Sequence, residues 1–543
     1  MASLRYNCET RLKGMQSVRQ NYEADWRDIA RFAQPARSRF LNSDTNRNQR
    51  GRNGKMLDEY GITSYRTLAN GMTSGLSSPS RPWMKLGTYD DDEEARIWLA
   101  EVERLISAFI ANSNFYGAAK TGYHELGLFG TEAGVIVEHP EVGIVVHSLT
   151  AGEYWIAVGS SLVPDTLYRR CPMTVRQTVQ SFKDAASSTV RKMYDRGDYE
   201  NIVDVFHAIE PDPDYRPGDP FSKPFRSVYW DEKDDRDKLL RLSGYHEKPF
   251  WAARWDTTGS DTYGFSPGME GLPSLRELQL QVKRRNEATD KLVKPEIIVP
   301  PGVKLTGQPG NIVSASSIDK DGVLIPSPVP YQALEAIERT IERLERKIGA
   351  TSFAELFMAI TNMQGIQPRN MEEIASRNEE KLTQLGPTIE RVNNEKLEVS
   401  IDRIFGIMLR GGMLPEPPKS IAGKDIKVEF ISILTQMQRM VGLGQIERTV
   451  SFIGNLGGAL RDALDKLDVD ELVDEYADRA GTPARVIRKT EDALKLRQQR
   501  AQQAQAAKMA EMMPAVQQGA DAARLLSEAD VNGAPMLDTL LGA

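Results

Sequence analysis

Residues 272–348 make an excursion that restricts what the whole chain can fold into. Residues 272–294 read as one helix and 331–348 as another. Between them proline stands at 295, 300, 301, 309, 326, 328 and 330, with short strand candidates Glu296-Ile297-Ile298-Val299, Val303-Lys304-Leu305 and Val323-Leu324-Ile325. Proline cannot carry a helix onward, so two helices flanking a compact Pro/Gly-rich tip predict a protruding hairpin. In its second helix Leu334, Ile337, Ile341, Leu344 and Ile348 recur at alternating spacings of three and four. Glu335/Arg339 and Glu342/Arg346 flank that stripe as i,i+4 pairs. The pattern fits a helix in a bundle core and a seam against a neighbouring subunit equally well.

The rest of the chain supplies a body to carry this hairpin. Its 543 residues are enough for three or four structural units at about 100–200 residues each. A hydrophobic content of 40% with 27% charged residues excludes wholesale disorder. No stretch approaches the ~18 consecutive apolar residues of a membrane helix, and the N-terminus lacks the apolar core of a secretory signal. Cys8 and Cys171 alone exclude a disulfide framework and a cysteine-ligated zinc cluster, which suits a reducing cytosol or a particle assembled there. A net charge of −7 argues against a general DNA-coating role.

Tyr22, Trp26, Ile29 and Phe32 recur at helical spacing up to Pro35, and an Arg/Asn-rich loop follows at 47–53. Residues 56–76 predict a second helix that buries Leu57, Tyr60, Tyr65, Leu68 and Met72. Asp90 to Glu94 open a third, where acidic residues complement the helix dipole, with Ile97, Val102, Leu105, Ile106 and Phe109 as its apolar set. From 133 to 262 short β-rich runs at 135–137, 144–146, 154–158, 202–209, 239–245 and 250–255, with a helical insert near 174–195, predict a mixed α+β body. Residues 351–367 read as a loop, and 371–409 as a long helix interrupted and kinked at Gly386-Pro387. Residues 426–431 are a strand candidate, and further helices run to about 496. An Ala/Gln-rich tail begins at 498, with little to bury, and the end of the chain reads as poorly ordered.

Catalytic patterns are mostly absent. Gly54-Lys55 and Gly423-Lys424 do not belong to a phosphate loop. The five histidines, His124, His139, His147, His207 and His246, form no H-E-x-x-H arrangement. Gly71-Met72-Thr73-Ser74-Gly75 sits in a helical context and reads as helix packing or a C-cap rather than a nucleophile elbow. Asp212-Pro213-Asp214 and Asp319-Lys320-Asp321-Gly322 are turns without further ligands, and Asp234-Asp235 is solvated loop charge. The expectation is a protein that is not an enzyme, with no cofactor and no metal.

Three stretches carry a resemblance. They are Asp58-Glu59-Tyr60 through Gly71-Met72-Thr73-Ser74-Gly75 to Arg81-Pro82-Trp83, then Tyr263-Gly264-Phe265-Ser266-Pro267-Gly268 leading into the 272 helix, and Leu385-Gly386-Pro387 through to Leu409-Arg410-Gly411-Gly412-Met413-Leu414-Pro415. Over about residues 10–440 the chain resembles the head-to-tail connecting (portal) proteins of short-tailed phages. Tyr263 to Gly268 lacks a second glycine expected before the proline, and the C-terminal region is not diagnostic.

The resemblance implies a predominantly helical α+β portal fold with wing, stem, clip and crown, assembling as a ring of usually twelve copies around a DNA channel. Residues 1–270 would be wing, 271–294 and 331–349 the stem helices, 295–330 the clip and 350–370 a channel loop. Residues 371–431 would be the kinked wing helix and a strand, 432–489 the crown, and 490–543 a barrel helix with a flexible tail. Leu334, Ile337, Ile341, Leu344 and Ile348 would be the stem seam between subunits. Pro300, Pro301, Val303, Val323 and Ile325 would be the clip surface, meeting adjacent clips, the packaging terminase and later the tail adaptors. Met358, Asn362, Met363 and Gln364 of the loop are candidates to brush double-stranded DNA. Lys283, Arg284, Arg285, Lys291 and Lys294 form a basic stripe that touches DNA phosphates or pairs with the neighbouring subunit. Major capsid and scaffold proteins would be further partners, with no membrane involved, at the portal vertex of a virion assembled in the host cytoplasm.

Helix geometry agrees with such a ring. Residues 331–349 as helix span about 28 Å. Twelve such helices at ~10 Å spacing stand on a circle about 38 Å across and leave an opening of about 28 Å, wide enough for a hydrated duplex. Twelve copies at −7 each make an acidic ring that repels phosphates and lets DNA slide. Two alternatives stand beside it: a scaffold or minor capsid protein that encloses no DNA, and a packaging motor or nuclease.

Overall fold

The computed structural model describes residues 3–35, 56–88, 93–219, 221–231, 238–293, 331–362, 379–419, 421 and 426–440, then 446, 449–453, 455, 467–479, 493–500, 502–503, 530–531 and 534–535. Contacts divide the chain into two units, Met1–Val441 and Gly442–Ala543.

Helix α1 (Leu4–Ala33) begins on Ser3, whose hydroxyl accepts from the Tyr6 N–H, and ends at Gln34 just before Pro35. Helix α2 (Tyr60–Leu76) buries Tyr65, Leu68 and Met72 as its spacing predicts. It starts later than expected: the Tyr60 N–H bonds the Asp58 carboxylate, so Leu57 lies outside the helix and is exposed. Strand β1 (Met84–Gly87) follows, then α3 (Glu93–Ala111). Val102 and Ile106 of α3 are buried and Leu105 and Phe109 half-buried, but Ile97 is 67% exposed, its predicted place being taken by Trp98 and Leu99.

Helix α4 (Phe115–Phe129) is the hub of the core and gives little sequence signal, because Gly117, Gly122 and Gly127 break up its apolar pattern. Gly122 and Gly127 admit close neighbours, Glu132 and Leu68. A Cβ at Gly127 would lie 2.6 Å from Leu68 of α2. Strands β2 (Thr131–His139) and β3 (Gly143–Leu149) pair with β9 (Phe250–Arg254) in an antiparallel sheet of order β3-β2-β9.

A second antiparallel sheet runs β4-β5-β6-β7-β8, from β4 (Tyr154–Val158) through β5 (Pro164–Thr174), β6 (Ile202–Pro211) and β7 (Phe225–Asp231) to β8 (Arg241–Tyr245). Strands β5 and β7 were not anticipated. Trp155, Tyr168, Ala208 and Val228 share one face of this sheet and pack under Cys8, Leu12 and Met15 of α1. The helical insert is α5 (Val175–Phe182), opened by a capping box between Thr174 and Gln177, and α6 (Ser188–Asp195).

Helices α7 (Pro267–Val293), α8 (Tyr331–Thr351) and α9 (Ala354–Asn362) follow. Helix α9 occupies the first part of the stretch expected to be a loop, since Leu356 and Phe357 are both fully buried and tie it down. Beyond it come α10 (Glu379–Val392), a π turn at Asn393–Glu398, and α11 (Val399–Arg410). Pro387 lies inside α10, so the expected interruption at Gly386-Pro387 does not occur. The irregularity falls instead in the π turn, where charged side chains are buried. Strand β10 (Lys427–Phe430) pairs antiparallel with β1, and α12 (Ile433–Met440) closes the unit. The Arg/Asn-rich loop at 47–53, the tip at 295–330, residues 371–378 and most of the Ala/Gln-rich tail lie outside the described residues.

In the second unit, the helix Val469–Arg479 starts on Asp468, whose carboxylate accepts from the Asp470 and Glu471 N–H groups. Arg497 bonds both carboxylate oxygens of Asp470 at 2.7 and 2.5 Å.

Candidate functional site: a helical hairpin in a glycine-notched cradle

The stretch Tyr263 to Gly268 is where α7 is fastened to the body. The Gly264 N–H donates to Thr131 Oγ1 at 2.9 Å, and a Cβ at Gly264 would fall 2.3 Å from the Gly130 carbonyl. Ser266 caps α7, accepting the Met269 N–H at 3.0 Å while its hydroxyl donates to the Leu128 carbonyl at 2.7 Å. Pro267 takes the first helical position, where a missing N–H costs nothing. Close approach and capping account for the run Gly-Phe-Ser-Pro-Gly.

Helices α7 and α8 form an antiparallel hairpin. A Cβ at Gly271 would lie 3.7 Å from Thr351, and Arg285 stands 3.8 Å from Glu338. The residue numbers in these two pairs give nearly the same sum, so Val293 and Tyr331 come level at the far end, about 33 Å from Gly271 at 1.5 Å per residue. Leu272, Leu275, Leu278 and Val282 of α7 and Ile341, Leu344 and Ile348 of α8 are buried in one core. Leu334 and Ile337 are half-buried. The stripe predicted as a seam between subunits therefore closes within the chain for Ile341, Leu344 and Ile348, because α7 of the same chain reaches it first.

The base of the hairpin rests on α2, whose glycines act as notches. A Cβ at Gly61 would sit 2.5 Å from Leu275 of α7, one at Gly71 2.2 Å from Phe357 of α9, and one at Gly75 2.7 Å from Leu434 of α12. Tyr65 donates its hydroxyl to the Pro267 carbonyl at 2.8 Å. Gly71-Met72-Thr73-Ser74-Gly75 is thus helix packing.

Lys283 and Arg284 are exposed on α7, and Lys291 is exposed near its end. The basic residues do not stand apart from acid: Lys283 lies 3.7 Å from Glu287 and Arg285 meets Glu338. On the side of α7 away from its buried row, Leu280, Arg284, Glu287 and Lys291 make one exposed stripe. On α8 the matching stripe is Glu335, Arg339, Arg343 and Arg346, with Arg339 bonded to Glu335 at 2.6 Å. Met358 of α9 is exposed, and Asn362 is its last residue. Met363, Gln364, Lys294, Pro300, Pro301, Val303, Val323 and Ile325 lie outside the described residues.

Sequence reading missed the buried charges that hold the return helix to the body. Lys396, in the π turn, bonds both oxygens of Glu132 at 2.8 and 2.7 Å, both side chains being wholly buried, and its ammonium lies 3.6 Å from the Tyr123 ring centroid. Burial pushes Glu132 up and Lys396 down, and each is opposed by the charge of the other. Adjacent Glu395 pairs with Arg254 at 2.6 Å, beside Glu132 in the β2–β9 register. About two and four turns beyond Lys396, Arg403 and Arg410 converge on Glu247. Trp98 Nε1–H donates to the Pro415 carbonyl at 3.1 Å, which fixes the end of the Leu409 to Pro415 run. The signal in the sequence was a lysine seven and four residues after Ile389 and Val392, on the apolar side that those two mark.

Among the described residues no group of three or more His, Cys, Asp or Glu is placed to hold a metal, and no helix is long and apolar enough to cross a membrane. The family described as bacteriophage head to tail connecting protein matches residues 5–487. The portal protein of Salmonella phage epsilon15 is 37% identical over 545 residues, covering 98% of this chain and 97% of its own. The probable portal protein of Bordetella phage BPP-1 is 36% identical over 529 residues, covering 95% and 94%. A chain in the neck of an empty GTA particle is 14% identical with a TM-score of 0.36, covering 73% of this chain and 86% of its own. Family match and the two phage relatives span nearly the whole sequence, and this chain is a member of the bacteriophage head-to-tail connecting protein family.

Proposed function

We propose that copies of this chain close into a ring, twelve in number, whose channel passes double-stranded DNA into the head during packaging and out of it at ejection. The observation that carries this reading is the hairpin. It stands about 33 Å long on a body that grips its base, its core is filled by its own side chains, and both outer stripes are left to neighbours and channel. Residues 1–270 then serve as wing, 271–294 and 331–349 as stem, 295–330 as clip and 350–370 as the channel segment, with α9 as its helical start. Residues 371–431 return through the wing, 432–489 form the crown and 490–543 the barrel helix and tail.

The role is mechanical and structural, without catalysis or cofactor. Lys283, Arg284, Lys291, Met358, Asn362, Met363 and Gln364 are the residues assigned to the channel, where soft or compensated side chains contact DNA without holding it. Subunits meet through unlike faces, as a ring that closes by rotation requires. Pro300, Pro301, Val303, Val323 and Ile325 face the packaging terminase and then the tail adaptors, while the body meets capsid and scaffold proteins. The ring sits at the portal vertex and assembles in the host cytoplasm. Electron micrographs of the purified protein test the proposal: rings with a central opening of about 28 Å are expected. Particles without a hole, at every protein concentration tried, would overturn it.

A further inference from the structure

A cavity of about 600 Å³ opens against the five-stranded sheet on the face opposite α1, lined by β3, β5, α5 and the β7–β8 pair. Strand register dictates its floor. Arg169 of β5 stands opposite His207 of β6, His207 opposite Tyr229 of β7, and Tyr229 opposite Arg241 of β8. Directly opposed residues share a face, so two guanidinium groups end a row about 14 Å long with a histidine and a tyrosine between them.

Arg169 is only 7% exposed. Its Nε–H donates to His207 Nδ1 at 3.0 Å, which leaves His207 Nε2–H to donate to Ser227 Oγ at 2.9 Å. The ring lies flat on Tyr229 with centroids 3.8 Å apart. Burial, then the charge of Arg169, holds His207 well below the usual histidine range, so it is a neutral prop for the arginine. Among the described residues no carboxylate comes within ion-pair distance of Arg169. Buried guanidinium groups are ordinarily paired. Glu153, the acid in the lining, accepts the Thr150 N–H and hydroxyl at 3.1 and 2.9 Å. Arg241 donates to the Ser181 carbonyl at 2.8 Å and covers the Phe182 ring at 5.3 Å. From β3 comes Ser148, whose buried Oγ has no hydrogen-bond partner among the described residues.

We propose that this cavity binds a small oxyanion, the phosphate or carboxylate group of a free small molecule, with Arg169 as its principal ligand, Arg241 at the rim and Ser148 Oγ as a further donor. The Nε of Arg169 is fixed by His207 and the Tyr229 hydroxyl hydrogen-bonds its guanidinium, so the arginine is held in place before any ligand arrives, with N–H groups still to offer an oxyanion. The volume suits a ligand of modest size. Neither ring assembly nor DNA is needed for this binding.

Equilibrium dialysis of the full chain against inorganic phosphate and against citrate, at constant ionic strength, tests the proposal. Saturable binding of one equivalent of at least one of them per chain is expected. R169M should weaken it about tenfold or more, the effect of losing one charge-assisted hydrogen bond. R241M alters an exposed side chain and keeps the fold intact, so it decides the matter should R169M fail to fold; it too should weaken binding. Absence of binding by both anions, or binding untouched by R241M and by a folded R169M, would sink the assignment. Binding by the unassembled chain that vanishes in assembled particles would overturn it as well, since an acidic side chain of a second copy would then be the occupant.

Discussion

Lys396 shows how one residue can fasten two elements and at the same time resist discovery in a sequence. Its ammonium and the Glu132 carboxylate are both shut off from water, which is tolerable only because each satisfies the other and Tyr123 faces the cation. Removing one partner strands the other charge, so K396M should cost about 3–5 kcal/mol of unfolding free energy. The double variant K396M/E132Q should recover a good part of that, as chemical denaturation of the three proteins will show. Glu125, 1% exposed, behaves differently because it faces amides rather than a cation: it accepts from the Ala151 N–H and the Gln34 amide. Burial pushes its carboxyl from 4.5 up to about 7 in spite of those bonds. Between these two values the folded chain keeps a proton that the unfolded chain has lost, so stability is fullest below 4.5 and declines as pH rises through about 7, by about 3 kcal/mol in all. E125Q cannot titrate, and denaturation midpoints compared at about pH 5 and about pH 8 should change less in it than in the parent chain. Neither residue was legible beforehand. A glutamate at the end of a glycine-broken helix and a lysine among leucines look like surface charge until the fold brings partners to them.

At the scale of elements, the sequence was read well wherever one period governed a segment and poorly where packing needed small residues. Helices α7 and α8 and the strands β2, β3, β4 and β6 follow their apolar spacing. Helix α4 does not, since the glycines that bring it close to Leu68 and Glu132 erase its apolar stripe. Strands β5 and β7 carry Arg169, Arg170 and Arg226 among their apolar residues and so lack the simple alternation that marks a strand. Glycine in α2 is the same device put to use at the hairpin base. Gly71→Ala would drive a methyl group into Phe357, and overpacking of this kind should lower stability by about 1–3 kcal/mol. Gly14→Ala is the matched control: that site is a helix interior with open space around it, and alanine there should raise stability by about 0.5–1 kcal/mol. Thermal unfolding of the pair reads both signs, and a neutral Gly71→Ala would remove the cradle argument.

For the whole molecule, the apolar stripe of α8 posed a question that its spacing alone left open, because a bundle core and a subunit seam share the same three–four pattern. The structure gives Ile341, Leu344 and Ile348 to the chain's own core, so any contact that the hairpin makes with a neighbour falls to its outward stripes. On α7 that stripe holds Leu280, 46% exposed, among Arg284, Glu287 and Lys291; on α8 it holds Glu335, Arg339, Arg343 and Arg346. In the proposed ring, unlike faces meet, and α7 of one copy would stand beside α8 of the next. Leu280 is then the apolar anchor of the contact, with Glu287 beside it and Glu335, Arg339, Arg343 and Arg346 opposite, charges of both signs that fix register more than they add affinity. Two substitutions separate the roles. Ile341→Ala empties a core site and should cost the isolated chain about 2–5 kcal/mol. Leu280→Arg alters an exposed position and should leave unfolding of the monomer within about 0.5 kcal/mol, yet weaken each intersubunit contact by about 2 kcal/mol. Because every junction of the ring repeats that loss, sedimentation velocity should show the L280R chain folded and unassembled at concentrations where the parent forms rings. Rings that survive L280R unchanged would mean that neighbours meet elsewhere on the body, with the hairpins standing apart.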